Sequence, residues 1–299
     1  MSEQPAQVQA RSFTLDLDAI SLQVTEWPGS GDPVLLLHAT GFHSRCWNQI
    51  ARRLPGVHLY AVDLRFHGGS GSGSQGEVDW GLMAHDVEQV LQALELTRVV
   101  GVGHSIGGYL IARAAAMQLP RFKQLLLIDP VIFPREIYAR HFPPGATIDP
   151  SAFPVSRRKN RWADAAQMYQ HFRERPPFDC WQDQVLRDYC DYALVEVPGE
   201  SVYQLACDPL DEAAIYISQS GNEAIHDMLP ALELPVTLLR AAPETRAFDF
   251  SKSPTWPGLV DALPNAREFY LPEMSHFIPM EDPELVATMI REAVEGSWA

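Results

Sequence analysis

Residues 12–27, SFTLDLDAISLQVTEW, alternate apolar and polar side chains in two short bursts, the period of a half-exposed hairpin at a sheet edge. At residues 33–41, PVLLLHATG, the alternation gives way to a continuous apolar run closed by turn residues, as in a strand covered on both faces. A helix is expected from about Cys46 to Leu54. VHLYAVDLRFHGGSGSGS repeats the pattern of buried strand and small-residue loop, and DWGLMAHDVEQVLQALEL carries apolar residues at helical spacing. Val99–Val102 return to strand, GGYLIARAAAMQL reads as a helix and QLLLIDP as a further strand.

Strand and helix thus alternate along residues 33–130, which predicts a parallel α/β sheet with right-handed crossovers. From Phe133 to about Leu232 the pattern breaks. That stretch is rich in Arg, Tyr, Trp, His and Pro and predicts helices with proline breaks and no buried strand. VTLLRA at 236–241 and REFYLPE at 267–273 resume the sheet, and PELVATMIREAVEGS closes the chain as an amphipathic helix. The expected architecture is α/β, a mostly parallel doubly wound sheet formed by residues 1–132 and 233–299, with 133–232 inserted between strands as a helical cap. There is no internal repeat and no low-complexity tract.

Composition narrows the function. The 299 residues, 46% hydrophobic and 20% charged, suit one large core with an insertion, or two domains. A net charge of −15 argues against nucleic acid or an anionic membrane as partner, because like charge repels. Cys46, Cys180, Cys190 and Cys207 form no C-x-x-C pair, so reduced structural thiols are expected rather than a metal site. MSEQPAQVQARSF lacks the features of a signal peptide and no run approaches the ~20 apolar residues of a membrane span, so a cytoplasmic location is expected.

Gly103-His104-Ser105-Ile106-Gly107 places a serine between glycines, with a strand before it and a helix after it. Ser105 could simply cap that helix. It could also be a nucleophile held on a strained strand-to-helix turn, where the flanking residues must be small. A nucleophilic hydroxyl needs a base, and His276 is the only histidine beyond the last two predicted strands, in the loop before the final helix. Developing negative charge needs preorganised N–H donors. The expected donors are the backbone N–H of Ile106 and that of Thr40, in the loop after the first buried strand.

HATG, DLRFHGGS, GHSIGG, LLLIDP and EMSHFIPMEDPE together resemble the α/β-hydrolase superfamily, in its capped serine esterase-like branch. The similarity covers residues 12–134 and 233–297. It departs at Ala39, where relatives usually carry glycine, and at Phe66, which replaces the first glycine of D-x-R-G-H-G-x-S. The resemblance implies that Asp63, Arg65 and His67 organise a structural loop. Ser105 argues against the epoxide hydrolases and haloalkane dehalogenases of this fold, which use aspartate. The triad acid usually follows the strand reading VTLLRA here, and Glu244 stands at the matching position, with Asp249 five residues on. Asp129 in LLLIDP is the rival, although Asp before Pro is also a common turn starter. The expectation is Glu244.

The aromatic residues of the inserted stretch, Trp162, Tyr169, Phe172, Phe178 and Trp181 among them, suggest an apolar pocket, although most must pack the insertion's own core. Arg157, Arg158, Lys159 and Arg161 read as a solvated helix face that could also steer an anionic substrate. The function expected is a serine hydrolase of small to medium, apolar or aromatic carboxylic esters, with no metal and no organic cofactor. Carbon–carbon hydrolysis of the meta-cleavage type, lactone hydrolysis, perhydrolysis and a non-catalytic ligand receptor are the alternatives.

Overall fold

The computed structural model of the chain describes residues 9–73, 78–143, 148–243 and 252–297. Its main sheet has eight strands: β1 (Arg11–Asp16), β2 (Ser21–Trp27), β3 (Ser30–Leu37), β4 (Val57–Val62), β5 (Val99–His104), β6 (Phe122–Ile128), β10 (Val236–Ala241) and β11 (Ala266–Leu271). Their order is β1-β2-β4-β3-β5-β6-β10-β11. The alternating stretch at 12–27 forms the antiparallel edge hairpin expected of it, with Phe13 opposite Val24. The apolar runs form the parallel centre, where Leu36 faces Val102 and Gly103 faces Leu127 across neighbouring strands.

Residues alternate between the two faces of each central strand. Leu35, Leu37, Leu125 and Leu127 pack under helices Trp80–Ala93 and Ile106–Met117. Val34, Leu36, Leu126 and Ile128 pack under helix Pro283–Glu295. These leucines and valines are fully buried, and each contributes roughly 1.5–3 kcal/mol. Local signals hold the helices in register. Asp79 caps the first through Leu82 N, and Asp282 caps the last through Leu285 N, with Gly296 left-handed at its end.

Among the described residues between β6 and β10 the main sheet gains no strand. The intervening chain builds helices Arg135–His141, Ala165–Phe172, Asp183–Tyr192 and Pro209–Ile217. It also forms a small antiparallel sheet that the sequence pattern did not predict: β7 (Arg161–Trp162), β8 (Leu194–Glu196) and β9 (Tyr203–Leu205), in the order β7-β9-β8. Two or three residues per strand are too few to carry a period. The basic run is not a helix face either. It crosses a 3-10 turn and β7, and Arg158 turns inward to Glu212 while Arg161 pairs with Glu200.

The stretch between β6 and β10 packs on the rest of the chain through polar and aromatic contacts. Gln49 Nε2 donates to the buried Asp188 carboxylate at 2.5 Å. Phe42 and Phe277, from loops at the strand ends, meet Trp181 of the segment, and Phe42 also meets Tyr189. Ala39 is buried in the same cluster, so the methyl group at this position packs against apolar neighbours.

Candidate active site

Ser105 sits where β5 turns into helix Ile106–Met117, with φ 58° and ψ −121°. A left-handed backbone at a non-glycine residue is strained and must be imposed by its surroundings. The flanking glycines permit the tight turn. A Cβ at Gly103 would stand 2.2 Å from the Gly107 carbonyl oxygen, and one at Gly107 would stand 2.3 Å from the Leu37 carbonyl oxygen. Strand and helix therefore approach closely only without side chains at these two positions. Ser105 makes no side-chain cap to its helix, so its hydroxyl remains for another partner.

That partner is His276. Ser105 Oγ lies 3.0 Å from His276 Nε2, with both residues buried. On the other side of the ring, His276 Nδ1 lies 2.6 Å from Asp129 Oδ2. The network assigns the proton to Nδ1, which donates to the carboxylate and leaves Nε2 to accept from the serine. The acid expected beside His276 from sequence is Glu244, with Asp129 as its rival. Asp129 occupies the position, and Glu244 and Asp249 lie outside the described residues. Asp129 is left-handed (φ 45°), which turns its side chain at the end of β6, and aspartate tolerates that conformation better than most residues.

The Asp129 carboxylate is fully buried and well supplied with donors. Oδ1 accepts from Ala241 N at 3.1 Å, Ser253 Oγ at 2.5 Å and Thr255 Oγ1 at 3.3 Å, leaving Oδ2 for His276. Ser253 and Thr255 carried no sequence signal, because they reach Asp129 across more than a hundred residues. His104 is the other residue that sequence reasoning passed over. Its Nε2 donates to the His276 carbonyl oxygen at 2.8 Å, tethering the histidine loop, and burial pushes this imidazole far toward its neutral form.

Thr40 and Ile106 lie where the elbow meets the loop after β3. Both are buried, and among the described residues neither backbone N–H takes a protein acceptor. The Thr40 loop is tied down on both sides. The Ala39 carbonyl accepts from Phe42 N at 3.1 Å and from His38 Nδ1 at 2.8 Å. Gly41 N donates to His67 Nε2 at 2.9 Å, and Leu64 N donates to His38 Nε2 at 2.9 Å. Burial holds His67 at about 4 and His38 well below the ordinary histidine value, so both remain neutral acceptors.

The rest of DLRFHGGS bears out a structural part in this loop. Asp63 accepts from Ser44 N and Gly69 N, and Arg65 makes a buried two-point contact with Asp86. Phe66 has φ 69°, the conformation for which a glycine is the usual choice, and its buried ring offsets the backbone cost. Among the described residues no group of His, Cys, Asp and Glu could hold a metal ion, and no helix is long and apolar enough to cross a membrane.

Comparison with known proteins agrees with the fold. The chain is 26% identical over 283 residues to Lipase LipV of Mycobacterium tuberculosis, covering 91% of this chain and 97% of that protein. Among solved structures, E-2-(acetamidomethylene)succinate hydrolase superposes with a TM-score of 0.74 at 19% identity, over 96% of this chain and all of that one. A thermophilic esterase from Thermogutta terrifontis gives 0.68 at 22% identity, over 97% of this chain and all of that one. Residues 34–289 match the alpha/beta hydrolase family profile, which spans the elbow, Asp129 and His276, and the chain belongs to that family.

Proposed function

We propose that this hydrolase cleaves carboxylic esters through an acyl-enzyme, with Ser105 as nucleophile, His276 as general base and Asp129 as the acid that orients it. The observation that carries the reading is the continuous chain from Ser105 Oγ through His276 to Asp129, with gaps of 3.0 and 2.6 Å, mounted on a strained elbow. A serine hydroxyl becomes a useful nucleophile when a positioned base takes its proton, and the carboxylate holds the required tautomer and stabilises the imidazolium.

In the first half-reaction Ser105 Oγ attacks the ester carbonyl carbon as its proton passes to His276 Nε2. The carbonyl oxygen becomes an oxyanion facing the N–H groups of Ile106 and Thr40. His276 returns the proton to the alkoxy oxygen, the carbon–oxygen bond breaks and the alcohol leaves. Water then repeats the sequence on the acyl-enzyme, giving a proton to His276 and releasing the acid as Ser105 regains its hydrogen. This chemistry requires neither metal nor organic cofactor.

The segment expected at 133–232 serves as a cap, and the apolar character of the site follows from Phe42, Phe277 and Trp181. Phe277 adjoins the His276 ring, with centroids 5.6 Å apart, and Trp181 lies 5.5 Å from Phe277. These surfaces favour a small to medium ester with an apolar or aromatic group. The lipase and esterase names of LipV and the Thermogutta enzyme agree with this class.

The test is hydrolysis of p-nitrophenyl acetate and butyrate with rapid mixing. A burst of p-nitrophenol close to one equivalent per chain, absent from Ser105→Ala, supports the acyl-enzyme. Ligand binding with no turnover contradicts it and favours a receptor.

A further inference from the structure

Resting on the reading of Ser105 as nucleophile, the loop that carries Thr40 raises a separate question: what sets the direction of its N–H? The Ala39–Thr40 peptide is held by its carbonyl, which accepts from Phe42 N and His38 Nδ1. In a planar trans peptide the N–H points opposite to the carbonyl, so fixing one fixes the other. The next peptide, Thr40–Gly41, is held by its N–H. Gly41 N donates to His67 Nε2 at 2.9 Å, and His67 Nδ1 donates to the Arg65 carbonyl at 2.8 Å, which leaves Nε2 as the acceptor.

Gly41 is also gripped from the inserted segment. Its φ is +80°, and a Cβ there would stand 2.5 Å from Glu212 Oε1, so the Glu212 carboxylate rests against the Gly41 backbone. Glu212, on helix Pro209–Ile217, is buried, and its Oε2 lies 2.7 Å from Arg158 Nη1. Arg158 Nη2 in turn donates to Tyr189 Oη at 2.9 Å. Burying such a pair carries a desolvation penalty that an apolar pair of equal volume would avoid. What the ion pair adds is directional placement of a carboxylate on the one residue of the loop that has no side chain.

We propose that His67 and Glu212 are positioning residues for the oxyanion site: His67 holds Gly41 from the main domain, Glu212 closes on it from the inserted segment, and together they aim the Thr40 N–H. The segment therefore helps to complete the catalytic geometry as well as covering the site.

The test compares His67→Gln, His67→Phe, Glu212→Gln and Glu212→Ala in the full chain, using p-nitrophenyl acetate turnover and inhibition by an aryl trifluoromethyl ketone. The ketone's serine adduct carries an oxyanion and so reports on the donors. His67→Phe and Glu212→Ala are expected to lower kcat and weaken inhibition together by roughly 10- to 100-fold, with KM within about twofold and the glutamine variants recovering most of the loss. If His67→Phe does not fold, Glu212→Ala and His67→Gln carry the comparison. Folded variants with a lowered melting temperature but unchanged kcat and inhibition would overturn the proposal, as would a kcat loss without loss of inhibition. Undiminished hydrolysis by Ser105→Ala refutes the reading of the nucleophile instead, so the two failures are distinct.

Discussion

Ser253 Oγ donates to Asp129 Oδ1 over 2.5 Å, on the opposite side of the carboxylate from His276. With Thr255 Oγ1 and Ala241 N it fixes the rotation of the carboxylate, so that Oδ2 is presented to His276 Nδ1. Removing such a donor leaves a buried carboxylate oxygen short of a partner, at a cost of about 1–3 kcal/mol. Ser253→Ala is therefore expected to lower kcat for p-nitrophenyl butyrate roughly 5- to 100-fold, with KM little changed. Steady-state kinetics on the purified variant checks this.

Asp129→Asn removes the charge and offers an N–H to His276 Nδ1, favouring the wrong tautomer. Its kcat is expected to fall by roughly 10³-fold or more while the protein remains folded. Glu244→Gln should stay within about threefold of the parent. The paired measurement separates the two carboxylates.

Much of this was legible in the sequence. The elbow was visible because its constraint is local: glycines two positions either side of Ser105, a β-branched run before and alanines after. His276 was visible from its place after the last strand. Asp129 reads from the sequence only as the rival to Glu244, because it resembles a turn starter and its partners Ser253 and Thr255 meet it only through tertiary contact. The sheet β7-β9-β8 was hidden by the shortness of its strands, and the inward turn of Arg158 by a partner 54 residues away.

The elbow should tolerate no added methyl. Gly103→Ala places a Cβ 2.2 Å from a backbone oxygen with no flexible side chain to yield, so helix and strand must separate. A loss of stability of about 3 kcal/mol or more, or failure to fold, is expected. Chemical denaturation measures it against Ala115→Gly, a helix-interior change expected to cost only about 1 kcal/mol beyond its small lost side chain.

Acid should weaken the fold through its buried histidines. His67, at about 4, faces His38, His43, Asp63 and Arg65, and its pKa is depressed chiefly by burial from an ordinary 6.5. Between those values the unfolded chain binds a proton that the folded chain does not, so stability rises with pH across the window. It is present in full above about 6.5 and is lost as pH falls toward 4. Denaturation midpoints for parent and His67→Gln from pH 4 to 7 should show a shallower slope in the variant, by up to about one proton.

The seat of the inserted segment can be tested at Gln49. Gln49→Leu deprives the buried Asp188 carboxylate of its amide donor, leaving Gln184 at 3.4 Å. A loss of about 1–3 kcal/mol is expected, with faster proteolytic cleavage inside the segment than in the parent.

The most direct measurement of the central claim is the mass of the intact protein after millisecond quenching with p-nitrophenyl butyrate, followed by peptide mapping. The account expects one butyryl group on Ser105 in the parent, its accumulation sharply reduced in Asp129→Asn and no adduct in Ser105→Ala. A butyryl group on another residue, or full turnover by Ser105→Ala, would contradict it.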